Sequence, residues 1–213
     1  FLEIALHDWI IQDNFIIVTS LSNRSADFYF EGESSEFFQN LNDIILKKYN
    51  LTITNRLIKI VLPKVLSRDY LAIVVLYHEL GHFIDTELHI SEKIIKNKYG
   101  YKSSYTEQEV EEYNHFMEYF ADLFAAQYIN NASNLYLNYI AFNNPDCHTH
   151  PSTIKRIEMV NSFLSGVYVQ EIIEINAALL GSGCEEFIIR HKEIDINNSP
   201  YAKKHISNSI MQL

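Results

Sequence analysis

The sequence predicts an α+β protein, mainly helical, with a small β-sheet in its N-terminal part. Three observations predict it. Short β-branched and aromatic runs are concentrated in the first third of the chain. Apolar residues at helical spacing dominate the rest. A pattern with chemical meaning, His78-Glu79-Leu80-Gly81-His82, lies on a helix where the two parts meet. The 213 residues suit one domain. Within it, 1–66 is the β-containing part, 67–182 the helical core and 183–213 a C-terminal tail.

Phe15-Ile16-Ile17-Val18-Thr19 reads as a strand, and Phe28-Tyr29-Phe30 is a candidate to pair nearby. From Ser34 or Ser35 to Tyr49, the residues Phe37, Phe38, Leu41, Ile44 and Ile45 recur at helical spacing. Leu57 to Leu62 alternates as a strand does and ends at Pro63, which predicts an edge strand just before the motif helix. Ser67 starts that helix, with Asp69 near its positive end. Leu71 to Leu76 is apolar on every side, so the helix runs through the core. A short helix follows Ser91 and stops at Gly100, and Tyr99 to Tyr105 is a Tyr-rich loop whose rings are candidates for a cleft wall. Thr106-Glu107-Gln108-Glu109 fits a capping box opening a long helix, which Asn130-Asn131 closes after Ile129. A helix from Asn134 to Ala141 leads to a turn at Asn143-Asn144-Pro145-Asp146. Pro151 opens the next helix, ending near Gly166, and Val167 to Leu180 forms the last. Phe187-Ile188-Ile189 reads either as a strand or as a short helix.

Composition excludes several classes. At 47% hydrophobic and 21% charged, the chain is neither disordered nor a solvated rod. A formal charge of −10 is the reverse of a nucleic-acid-binding surface. No apolar run approaches the roughly 18 residues that span a bilayer. A start at Phe1 is expected of a fragment or processed chain, which leaves room for an upstream signal or anchor, or for a regulatory partner or domain. On these residues alone a cytoplasmic location is expected. Cys147 and Cys184 are isolated, so they form no metal or redox motif. Two idle thiols is the simpler reading and one disulfide the alternative.

The pattern at 78–82 works through helix geometry. Residues four apart lie about 40° apart on a helix, so His78 and His82 can aim two imidazoles at one ion. Glu79, rotated by about 100°, lies close to the ion without binding it and can take a proton from water there. Gly81 faces away and permits close packing. Chance produces such a pattern in about 3% of shuffled sequences of this composition, so an accidental pair of helix histidines is the weaker reading. The expected ion is zinc, one per chain.

Zinc needs a third protein ligand. The metzincin extension fails, because Ile84, Asp85 and Leu88 stand where it requires glycine and histidine, and His89 is out of register. A gluzincin would draw a glutamate from a later helix. Glu118 and Asp122, four apart on the 107–129 helix, can both face the motif helix. Glu118 is then the ligand and Asp122 the hydrogen-bond partner that fixes the tautomer of a ligand histidine. His115 shares that face and reads equally as a competing ligand or as a substrate-site or surface histidine, whereas Glu111 and Glu112 read as a solvated side. Ala121 and Ala125 are small, as close helix packing requires. Asp85 reads equally as a partner to the site or as a helix-end surface acid.

His78-Glu79-Leu80-Gly81-His82, then Glu118-xx-Ala121-Asp122-xx-Ala125-Ala126, then His150-Pro151 followed by Arg156-Ile157, resembles the gluzincin peptidases of the HtpX, Oma and CAAX-prenyl-protease group over roughly residues 57–165. That group usually carries membrane helices, which this chain lacks. In that respect, in the short 82–118 interval and in Phe124-Ala125, it also resembles the peptidases of the ImmA and IrrE kind. Both resemblances imply a zincin-like fold and a metalloendopeptidase, with zinc on His78, His82 and Glu118 and with Glu79 as general base. The first implies His150 as oxyanion donor, with His148 its rival. It also implies a protein or peptide substrate held along the edge strand 57–62 by β-augmentation. A non-catalytic zinc-bearing interaction domain and a zinc hydrolase of a non-peptide bond are the alternatives.

Overall fold

Short-range pattern and burial together explain the elements of the computed structural model, which describes residues 2–10, 15–22, 29–31, 36–52, 56–64 and 72–190. The expected starts at Ser34 or Ser35 and at Ser67, along with Phe28, Asp69, Leu71 and the tail beyond residue 190, lie outside the described residues. The molecule is mainly helical with one small sheet. Among the described residues no helix is long and apolar enough to cross a membrane.

The sheet contains β1 (Phe15–Ser22), β2 (Tyr29–Glu31) and β3 (Arg56–Pro63), in the order β1-β3-β2. The β3 strand runs parallel to β1, from Phe15 opposite Arg56 to Ser22 opposite Pro63. It pairs antiparallel with β2 through Val61, Ile60 and Lys59. This corrects the expectation that 57–62 is an edge strand open to a substrate. It is the central strand, and its backbone groups are largely committed to its neighbours. Pro63 misled because it occupies the last strand position, where a missing N–H says nothing about the interior. The better signal was Leu57, Ile58, Ile60, Val61 and Leu62, all buried, the near-continuous apolar run of a strand covered on both faces. Helix α2 (Glu36–Tyr49) lies within the long crossover that a parallel β1–β3 pairing requires.

The first helix, α1 (Leu2–His7), was not expected from a segment that reads as rich in β-formers. Tertiary burial decides it: Ala5, Leu6 and Trp9 sink into the core, and the Trp9 ring lies against Phe120, Phe124 and Phe187. The remaining helices are α3 (Ala72–Leu88), α4 (Ile90–Tyr99), α5 (Glu107–Ile129), α6 (Ala132–Ile140), α7 (Thr153–Leu164) and α8 (Gln170–Gly181). Leu80, Phe83 and Ile84 of α3 share one core with Phe120, Leu123 and Phe124 of α5, Val160 of α7 and Ile172, Ile175 and Leu179 of α8. The α5 start carries the expected capping box, with Thr106 accepting from the Glu109 N–H at 3.3 Å and its own N–H donating to Glu109 Oε2 at 2.9 Å.

Between α3 and α4 the chain turns at His89, which has a left-handed φ of 55°. Asp85 is buried here and accepts the Ser91 N–H at 2.8 Å, so it caps α4. Burial pushes its carboxyl up to about 6. Phe187 to Ile189 forms neither strand nor helix. Phe187 is a core plug whose N–H donates to Asn176 Oδ1 at 3.1 Å. Cys147 and Cys184 are both free.

At Gly81 the α3 backbone packs closely on α5. A Cβ there would lie 2.8 Å from the Ala121 Cα and 3.1 Å from the Phe124 Cβ. The first contact is with backbone, which cannot swing aside. Gly81→Ala is therefore expected to destabilise the protein by about 1–3 kcal/mol, the usual effect of overpacking. Urea unfolding of the variant measures it.

Candidate metal centre

The α3 helix turns His78 and His82 to one side, and their Nε2 atoms lie 3.0 Å apart. The facing side of α5 supplies Glu118, with Oε2 3.5 Å from His78 Nε2 and Oε1 3.3 Å from His82 Nε2. Among the described residues these three form the one group of side chains whose donor atoms converge closely enough to hold a metal ion. Glu79 is buried on the same wall, and all four line a cleft of about 780 Å³ between α3, α5, α6 and the segment leading into α7. A cleft of that size is ample for a peptide segment or small ligand.

Behind the ligands lies a second layer of charge. Asp122 Oδ1 is 3.0 Å from His78 Nδ1. A carboxylate accepts there, so Nδ1 carries a proton and Nε2 is the nitrogen turned toward His82 and Glu118. His82 has no such support, because its Nδ1 is buried without a hydrogen bond. Arg156 of α7 then joins both carboxylates. Its Nε and one terminal nitrogen donate to Asp122, each at 2.7 Å, and its other terminal nitrogen lies 3.1 Å from Glu118 Oε2. Burial favours the neutral acids, but Arg156 together with the imidazoles outweighs it. Glu118 is held well below the usual carboxylate range, and Asp122 is also lowered. Burial likewise opposes charge on His78, yet Asp122 and Glu118 prevail and push its imidazole up to about 10.

His150 stands at the rim, half-exposed, with Nε2 3.4 Å from Glu118 Oε1. Its Nδ1 lies 2.7 Å from Thr149 Oγ1. An ionised Glu118 can only accept, so Nε2 holds the ring proton and the Thr149 hydroxyl donates to Nδ1. His148 instead faces Glu111, with Nδ1 3.8 Å from its carboxylate, and does not line the cleft. His115 is outside the converging group and is bonded to the Cys147 carbonyl oxygen. Neither Tyr99, Tyr101 nor Tyr105 lines the cleft.

Sequence reasoning placed Arg156 within a motif but assigned it no role. The signal was weak: one arginine in the first turn of a helix, four residues after the Ser152 N-cap. Only the packing of α7 on α5 shows that it meets two carboxylates. Comparison with protein-family models, with curated proteins and with solved structures returned no match to this chain.

Removing Arg156 leaves two buried carboxylates without their cation. Arg156→Met is expected to cost about 3–5 kcal/mol of stability, as for other broken buried pairs, measured by denaturant unfolding of metal-free protein. Arg156→Lys should restore only part of this, since an ammonium cannot bridge both acids as a planar fork does.

The His78 shift gives a second expectation. A folded-state value of about 10 means that the metal-free site holds a proton on His78 at neutral pH. An ion must displace that proton, so apparent affinity rises with pH below that value. Calorimetric titration at pH 7 in buffers of differing ionisation enthalpy should show about one proton released per ion.

Proposed function

We propose that this protein is a zinc metalloendopeptidase of the gluzincin type. The observation that carries the reading is the presence of Glu79 in the same cleft as His78, His82 and Glu118. Three protein ligands leave one coordination position for substrate or water, and an adjacent carboxylate supplies a base. A purely structural ion usually takes four protein ligands and has no use for that base. The donor spacings support zinc among the candidate ions. Tetrahedral ligands at ~2.0–2.1 Å from zinc lie about 3.3 Å from one another. Here one donor atom from each of the three residues lies within 4.8 Å of the others, close enough for one ion to draw them together. Two imidazoles and one carboxylate also suit it.

Bound zinc would supply Lewis-acid polarisation of water and of the scissile carbonyl. Asp122 holds His78 in the tautomer that leaves Nε2 free, and Arg156 holds Glu118 ionised and fixed in direction. Glu79 accepts the proton that water gives up as it adds to the carbonyl carbon, then delivers it to the leaving amine. His150 donates from Nε2 toward the carbonyl oxygen as negative charge develops on it. The substrate lies in the cleft beside α3 and α6, since the central strand β3 is already paired.

Glu79→Gln keeps the shape of the side chain and removes the base. It should retain one zinc per chain by elemental analysis and lose about 10²–10⁴-fold in peptide cleavage. A variant that cleaves as fast as the wild type would sink the mechanism. The most direct search for substrates compares cleaved proteins in cells expressing wild type and Glu79→Gln.

A further inference from the structure

His150 is carried on a tight turn rather than on a helix, so something must hold that turn in register with the metal ligands. The turn closes on itself: the Cys147 N–H donates to the His150 carbonyl at 2.9 Å, and the His150 N–H donates back to the Cys147 carbonyl at 3.2 Å. Its flanks are tied locally as well. Asp146 accepts from the Ser152 N–H at 2.6 Å and from Lys155 Nζ at 2.7 Å, and the Thr153 N–H donates to the Asn144 carbonyl at 3.1 Å. These bonds shape the segment but do not locate it relative to α5.

Two hydrogen bonds from α5 do locate it. Asn114 Nδ2 donates to the His148 carbonyl at 3.1 Å, and His115 Nε2 bonds the Cys147 carbonyl at 2.8 Å. A carbonyl oxygen can only accept, so His115 Nε2 carries a proton in this contact. His115 precedes Glu118 by three residues, so the two share a face of one rigid helix. The helix that aims Glu118 at the centre thereby also sets the position of the His150 turn.

We propose that His115 is a positioning residue for His150. Through the Cys147 carbonyl it fixes the distance between the His150 imidazole and the metal ligands, so that the donor meets the carbonyl oxygen only where charge develops. This rests on the peptidase reading above. It also gives His115 a role other than metal ligation, although it lies on the ligand face of α5.

The test compares wild type, His115→Ala and His115→Gln as zinc-loaded full chains. The glutamine amide can replace the Nε2 donor. In His115→Ala, hydrogen exchange at the Cys147 and His150 amides should accelerate about fivefold or more, the effect of losing one net hydrogen bond. Peptide cleavage should fall about 10- to 100-fold in kcat with KM within about twofold, as expected when a reacting group is misplaced while substrate binding stays intact. His115→Gln should restore both readouts, and zinc content should stay at one per chain in all three. Unchanged exchange at those amides in His115→Ala overturns the proposal. So does an impairment that falls on KM or on zinc content instead of kcat, or a glutamine variant as impaired as the alanine. If wild type shows no Glu79-dependent cleavage, the peptidase reading itself fails, and the exchange comparison alone decides whether His115 holds the turn.

Discussion

The site depends on how closely two helices can approach. The α3 backbone at Gly81 rests directly on the α5 backbone at Ala121, with no side chain between them. From that contact His78 and His82 on one helix and Glu118 on the other converge within hydrogen-bonding distances. A single methyl group at Gly81 would meet the Ala121 Cα at 2.8 Å, so the two backbones could not keep this approach. The small residues of both helices are thus part of the site, although none touches its centre.

Close approach brings a second constraint, because it buries charge. Glu118, Asp122 and Arg156 are nearly excluded from water, and none could be ionised there alone. The structure solves this by sharing. One planar guanidinium serves both acids, one acid serves a histidine, and the other acid faces the centre. The same arrangement raises the His78 imidazole, so the two acids face a proton-bearing ring as well as the guanidinium.

The cleft is closed by irregular chain rather than by regular structure. The segment from α6 to α7 brings His150 to the rim while its backbone groups are satisfied by its own turn and by α5. The α5 helix is the common frame, since it supplies Glu118 of the converging group, the Asp122 carboxylate behind His78, and the hydrogen bonds to the rim. Its middle, from Glu118 through Gln127, is buried at every position.

Local features were legible without any structure. Helix spacing in 78–82 determined that two imidazoles share a face, Glu118 and Asp122 four apart determined that both could meet them, and Thr106 with Glu109 determined where α5 begins. Each involves groups within a turn or two of one helix, where covalent geometry leaves little freedom. Long-range neighbours were not legible. Pro63 suggested an edge, but strand order depends on which segment β1 pairs with, and β3 became the centre. The α1 helix forms because Ala5, Leu6 and Trp9 find a core shared with α3, and Trp9 meets Phe120, Phe124 and Phe187 more than a hundred positions away. Arg156 gained its role only when α7 packed on α5, and His115 exchanged one reading for another when the 147–150 turn came within reach. The sequence by itself determined which side chains one helix could aim together. Only the tertiary structure decided what each of them meets, because burial and charge pairing are properties of segments brought together in space.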